Sequence, residues 1–367
     1  MKKILCFALF IAVYELVLPA AGYTQTTGNV ATLPGSGLFE SDKILEMTLS
    51  GNTKALLDDR TDDSKFYPVT LSYMQQNGVE IVINAKAKTR GHFRKLRGNC
   101  FYPPILLHFT KGDSLNLTSF KEQLNLKLVM PCKGDEYVVY EWLVYKIYNL
   151  VTPKSFNARL VRVKLNNSKN NKTESPFYGI LLEEEKQMAG RNGLVSVTKK
   201  LQPEQTDPSA FLKMTVFQYL VGNVDWSVQY LQNIKLIAPD SNAVSVTAVP
   251  YDFDHSGLVN APYAALAEEL EMSSVRQRRY RGYCITDMKT FDSSIVLFNS
   301  IKDDIYELYN SCTLISEKYK KATIKYLDDF YTTLNTPEKL QKEFGYPCDK
   351  NGTGNIIIGG LKMQREE

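Results

Sequence analysis

Apolar and polar residues alternate along two early runs with a turn between them. Val69, Leu71 and Tyr73 have period two, Gln-Asn-Gly follows, and Val79, Ile81, Ile83, Ala85 and Ala87 resume the alternation. Successive side chains of a strand point to opposite faces, so this pattern predicts a β-hairpin with one buried face. Further strand patterns lie in KILEMTLSG (Ile44, Met47, Leu49), in PPILLHF, in Leu124, Leu126 and Leu128, over 156–165, and in FYGILLEEE. Lys127 alternates with the leucines and therefore faces away from them. One helical stretch interrupts the strands. Over 136–150, Val139, Leu143, Ile147 and Leu150 form one stripe, with Gly134-Asp135 before it and Pro153 after it.

After Lys200 the pattern becomes mainly helical. Asp207 as cap and Pro208 at the first helical position open a helix with an apolar run over 211–220. A stretch over 221–257 follows: VGNVDWSVQYLQN, a Pro-Asp-Ser-Asn turn, and VTAVPYDFDHSG, with 244–249 strand-like. Helices are predicted over 293–309, 313–334 and from Thr336. Strands with one helix, then mostly helix, is the order of a two-lobed α+β protein. That gives a β-rich N-lobe over 38–190, a helical C-lobe over 191–348 carrying the acidic loops, and a Gly-rich tail over 349–367.

Composition narrows the class. The 367 residues are 44% hydrophobic and 23% charged, enough for a large packed core and too apolar for extensive disorder. A formal charge of +4 gives no argument for nucleic acid, and no nucleic-acid partner is expected. The N-terminus reads as a signal peptide over 1–22: Lys2 and Lys3, an apolar run over 4–14, then Pro19, Ala20, Ala21 and Gly22. A Thr-, Gly- and Ser-rich lead-in covers 23–37. The expectation is an exported protein, periplasmic, surface-bound or secreted, with no membrane span after cleavage. Five cysteines remain beyond Cys6, in a compartment that permits disulfides. Cys100 and Cys132 are the candidate pair, and free buried thiols fit the pattern as well.

The candidate chemistry centres on 221–257. Asp225 follows a helix, Asp252 and Asp254 follow a strand, and Asn233 lies between them. Carboxylates and an amide on loops at the ends of regular elements suit hard cations such as Mg²⁺ and phosphoryl transfer. A hairpin rimmed by solvated aspartates is the plainer reading of the same pattern. Upstream, Arg90, Arg94, Lys95 and Arg97 cluster beside Gly91 and Gly98, as a phosphate-holding turn or a basic rim. Lys127 on a strand followed by Glu141 on a helix is the order of an ion pair that positions nucleotide phosphates. Glu183, Glu184 and Glu185 end a strand where two lobes would connect. The basic segment 276–281 is a second candidate for phosphate or an acidic partner, or a solvated helix end. Hydrolase motifs are absent: there is no GxSxG, and His92, His108 and His255 are too scattered for a zinc site.

GNVDW, then QN, then YDFD, resembles the spore coat protein H (CotH) kinase-like family, an atypical branch of the protein-kinase-like fold. TRGHFR, the KLV strand, GILLEEE and RQRRYRGYC fit the version of the pattern found in exported Bacteroidetes proteins, and the resemblance spans roughly 43–284. It implies ATP and Mg²⁺ as cofactors and a protein hydroxyl as acceptor, on an unidentified cell-envelope or secreted protein. Asp225 would be the catalytic-loop carboxylate. Asn233, Asp252 and Asp254 would be metal ligands. Lys127 would neutralise phosphate charge, held by Glu141. Glu183, or Glu185 on the same face, would lie near the adenine or ribose, and Arg90 at the Arg-Gly turn of the small lobe. Two departures stand out. The Asp225–Asn233 gap is longer than in ordinary protein kinases, so Gln229 and Gln232 compete for the amide role, and no GxGxxG loop is present. A catalytically silent kinase fold serving in binding or surface assembly is the alternative, and a cation or polyanion binder a third.

Overall fold

In a computed structural model, residues 37–345 are described, apart from Gln76 and Leu117, together with Cys348. The expected signal peptide, nearly all of the lead-in and the Gly-rich tail lie outside these residues. The strands come first. They are β1 (Leu45–Gly51), β2 (Tyr67–Met74), β3 (Glu80–Thr89), β4 (Ile105–Phe109), β5 (Asn125–Val129), β6 (Ala158–Asn167), β7 (Lys172–Thr173) and β8 (Phe177–Leu182). Short helices α1 (Thr53–Asp58) and α2 (Asp113–Asn116) decorate them, and α3 (Glu136–Val151) separates β5 from β6.

The expected hairpin is β2–β3, with Leu71 opposite Ile83. The sheet runs β1-β2-β3-β4-β5-β8-β6-β7, and β1 also pairs in parallel with β6. That pairing closes the sheet into a barrel and removes its free edges. Inward residues fill the barrel: Met47, Leu49, Leu71, Ile83, Leu107, Phe109, Leu126, Leu128, Val163 and Leu181 are all buried in one cluster. The alternation weakens at the tip, where Val79 is exposed.

Outward residues of the same strands do a second job. Val129, Ala158, Leu160, Ile180 and Leu182 pack with α3 in the largest apolar cluster. That cluster continues through the later helices α4 (Glu185–Arg191) and α5 (Pro208–Val221) to α6 (Asp292–Ser300), α7 (Lys302–Asn310), α8 (Glu317–Leu334) and α9 (Pro337–Phe344). Helix α3 is thus buried between barrel and helices, because Val139, Leu143 and Ile147 are joined on other faces by Val138, Tyr145 and Tyr148. The α+β composition is as expected, with the strand-rich part a closed barrel that has its own interior cluster, while a second cluster runs from the barrel's outer face into the helices. A small sheet, β9 (Val195–Val197), β10 (Ile234–Ala238) and β11 (Thr247–Pro250), packs on α5 and Trp226.

Several boundaries shift for local reasons. FYGILLEEE ends as a strand at Leu182, and Glu185 opens α4 instead. The helix expected over 293–309 breaks at Ile301 into α6 and α7. Helix α8 starts at the Ser316 cap, which accepts from the Tyr319 N–H at 3.2 Å. Among the described residues no helix is long and apolar enough to cross a membrane. Cys100 bonds Cys132, Cys284 bonds Cys348, and Cys312 is a free thiol.

Candidate functional site

Helix α5 delivers the first acidic residue. Asp207 caps it, accepting from the Ala210 N–H at 2.7 Å, and Gly222 ends it in the left-handed conformation at φ 66°. A side chain at Gly222 would collide with the Tyr326 hydroxyl. The absent Cβ lets this turn approach the segment after β11, where Gly257 N–H donates to Gly222 O at 2.9 Å. The helix end and the YDFDHSG segment are therefore clamped together.

Asp225 and Asn233 meet. The Asn233 Nδ2 donates to the Asp225 backbone oxygen at 2.8 Å and to its Oδ2 at 3.0 Å. The long spacing is taken up by a small loop: Ser227 and Gln232 exchange two backbone bonds of 2.9 Å, and the chain doubles back. Leu231 and Asn233 have φ of 53° and 50°, and Asp252 has φ of 63°. Left-handed backbone at a non-glycine residue carries strain, and such residues cluster at functional sites. Asp252 is fixed further by its N–H, which donates to the Tyr145 hydroxyl on α3 at 2.9 Å.

These acidic groups sense one another. Burial raises the Asp225 carboxyl above its ordinary range and Asp252 raises it further, while the charges of His255 and Arg281 and the Asn233 bond oppose the rise. Asp252 is likewise raised by burial and by Asp254, against Arg94, Arg90 and His255. Of the constellation read from the sequence, Asn233 bonds Asp225, and the charges of Asp225 and Asp252 and of Asp252 and Asp254 act on one another. His255 completes it, with its ring 5.4 Å from Phe93 and 5.9 Å from Tyr263.

The nucleotide-side expectations fare unevenly. Lys127 leaves the barrel interior as predicted and lies over the Tyr251 ring, 4.8 Å from its centroid, next to Asp252. Arg90 adds positive charge at Asp252. Glu141 is 1% exposed, and Arg94 makes an ion pair with it at 4.0 Å. The reason is tertiary: the turn Phe93–Lys95 inserts the Arg94 side chain between Glu141 and Asp254, which it meets at 3.6 Å. Glu183 is engaged elsewhere. It accepts from the Asn157 N–H at 2.8 Å and pairs with Arg191 at 2.9 Å, which ties β8 to β6 and α4. Glu185 pairs with Lys235 at 2.9 Å.

The basic segment 276–281 is not a solvated end. Arg281 donates to the carbonyls of Val224 and, at 2.8 Å, Trp226, on either side of Asp225. Arg278 donates to Leu220 O at 3.1 Å and Tyr326 O at 2.6 Å, and Arg276 to Gly257 O at 3.2 Å. The segment is a clasp over the backbone that carries the site.

No group of three or more His, Cys, Asp or Glu among the described residues has metal-holding geometry. Mg²⁺ takes one or two carboxylates beside substrate phosphates. Asp252 and the Asn233 amide oxygen would be the residues to hold it, with Asp254, whose buried Oδ2 has no hydrogen bond. Lys127 over Tyr251 and Arg90 acting on Asp252 bring positive charge to this segment.

No family model matches this sequence, and no curated protein matches it. Among solved structures it is similar to the Helicobacter pylori proinflammatory kinase CtkA. The identity is 13%, over 67% of this chain and 90% of that one, with a TM-score of 0.38. A score of that size leaves the site's own geometry to carry any functional reading.

Sequence reasoning missed three contributors. Arg94 appeared only as one member of a basic cluster. Tyr145 was not singled out, and Arg281 appeared only within the basic segment 276–281, as a phosphate or acidic-partner candidate or a solvated helix end. Nothing in their spacing marks them, because each acts on a segment far away in sequence.

Proposed function

We propose that this chain is an exported atypical kinase of the spore coat protein H kind, transferring the γ-phosphoryl group of ATP to a Ser/Thr-type protein hydroxyl. The observation that carries the reading is the Asn233 amide bonded to the Asp225 carboxylate, beside Asp252 in strained left-handed backbone. Asp225 is the base that orients the acceptor hydroxyl and takes its proton. Its raised pKa favours that role, since a base works best when its pKa approaches the operating pH. Mg²⁺ would supply charge neutralisation of the phosphates, with Asn233, Asp252 and Asp254 as its protein side. Lys127 and Arg90 hold phosphate charge. The two cystine pairs and the N-terminal pattern support an oxidising, extracytoplasmic location and an acceptor among cell-envelope or secreted proteins.

The test is phosphate transfer from radiolabelled ATP by the purified mature chain, beside Asp225→Ala and Asp252→Ala. Each variant is expected to lose about 10²-fold or more in rate. Equal incorporation by all three proteins refutes the assignment. One observation favours a second reading, a kinase fold without catalysis: Arg94 engages Glu141 in an ion pair at 4.0 Å. That reading predicts no label transfer and no thermal shift with ATP and Mg²⁺, but capture of a cell-envelope partner.

A further inference from the structure

Arg94 is 7% exposed, Glu141 1% and Asp254 4%. The guanidinium lies 3.6 Å from Asp254 and 4.0 Å from Glu141, and Asp252 adds a third carboxylate whose charge reaches it. Its Nη2 donates to the Met130 carbonyl. Carboxylates gathered in a dry interior repel one another and need a cation. Yet the ion contacts are longer than a hydrogen bond, and Arg94 Nε, Glu141 Oε1 and Asp254 Oδ2 are all buried with no hydrogen-bond partner. Three orphaned atoms at one point leave room in the bonding of this cluster for something more than Arg94.

The loop that carries Arg94 is unusually well anchored. Cys100 bonds Cys132, two residues after Met130. Phe101 N–H donates to Cys132 O at 3.1 Å, and Asn99 Nδ2 to Phe93 O at 2.8 Å. The Phe93 ring sits against His255 and Tyr263, the far wall of the same site. An arginine on such a loop is held in place, unlike a cation on a free surface turn.

We propose that Arg94 is a positioning residue of this site: a built-in cation, delivered on a disulfide-stapled loop, that holds Glu141 and Asp254 beside Asp252 and balances charge that a divalent cation shares when bound. For what the site does chemically this rests on the phosphotransfer reading; for the charge arrangement it rests on the contacts alone.

The experiment is thermal unfolding of the full mature chain, in EDTA and in excess Mn²⁺, for the wild type, Arg94→Met, Arg94→Lys and the double variant Arg94→Met/Glu141→Gln. In EDTA, Arg94→Met is expected to melt about 5–10 °C below the wild type. Mn²⁺ should recover a larger part of that loss than the shift it gives the wild type. Glu141→Gln should recover part of it without any metal, and Arg94→Lys should keep more of the stability than Arg94→Met. A mere packing role for Arg94 would produce neither charge rescue. Equal Mn²⁺ shifts in wild type and Arg94→Met, or no gain from Glu141→Gln, overturns the proposal. If Arg94→Met does not fold, the double variant decides: its failure to fold, in EDTA and in Mn²⁺, also overturns it. Phosphate transfer by the wild type is scored separately. Charge rescue without transfer leaves Arg94 in this role and removes the kinase reading; transfer without charge rescue does the reverse.

Discussion

Two arginine-bearing segments look alike in sequence and end in opposite surroundings. Arg94 lies among acidic groups, Tyr263 first and then Asp254, Glu141 and Asp252, which hold it above its ordinary range despite burial. Arg281 is half-buried, it donates to the carbonyls of Val224 and Trp226, and burial pulls its pKa down to about 10 against the charge of Asp225. Arg278, bonded to two carbonyls and laid 3.5 Å over the Tyr326 ring, is lowered for the same reason. A guanidinium tolerates both settings because its planar fork reaches several acceptors at once. The difference teaches that burial alone does not give an arginine its role. Partial charges make it a backbone clasp; whole charges make it part of an electrostatic site.

The sharpest break of that comparison is charge rescue. Arg94→Met should show the largest loss of stability of any variant considered, and neutralising Glu141 should return part of it. Arg281→Met should cost less, about 2–3 kcal/mol in urea unfolding, because it leaves carbonyls short of donors and takes its charge from one carboxylate, Asp225, not from three. Asp225→Asn should rescue a smaller part of it than Glu141→Gln returns to Arg94→Met. If the two rescues are equal, the two arginines play the same part and the comparison fails. Arg281→Lys should recover less than half, since one ammonium does not match a fork on two carbonyls.

A smaller effect is expected at Tyr145. Tyr145→Phe removes the acceptor of the Asp252 N–H and should cost about 1–2 kcal/mol, with faster amide exchange at Asp252 than elsewhere in the β11 segment. Unchanged exchange there would show that α3 does not hold Asp252. The smallest effect concerns Asp225. Its folded-state pKa is raised, so the folded protein binds the proton more readily than the unfolded chain does. Its contribution to stability is therefore favourable below the ordinary carboxylate pKa and is lost as pH rises through the raised value. Asp225→Asn should accordingly melt at or slightly above the wild type at pH 8, with the gap closing as pH falls toward 4. A variant less stable than the wild type at pH 8, with the gap unchanged at low pH, would contradict this.

Much of the barrel was legible because it obeys a local rule. Val69, Leu71 and Tyr73 against Ile81, Ile83 and Ala85 give the β2–β3 register directly, and the glutamine-asparagine-glycine turn marks its end. Helices α3 and α5 were readable from their stripe, their caps and the flanking prolines. The closure of the barrel was not, because β1 pairs with β6 across more than a hundred residues and no local pattern encodes that partner. The three acidic positions were legible as residue types on loops. Asn233 was the least secure of the site residues, and it is joined to Asp225 through a small loop whose left-handed residues no spacing rule predicts.

By itself, then, the sequence determined the elements: alternation set the strands, the 3.6-residue stripe and caps set the helices, and Asp and Asn placed potential ligands at their ends. The tertiary structure alone decided which charge faces which. It gave Glu141 to Arg94, Glu183 to Arg191, and Arg276, Arg278 and Arg281 to backbone carbonyls. The physical reason is range. Patterning acts over a few residues along the chain, whereas a buried charge is satisfied by whatever the folded interior brings within a few ångströms of it.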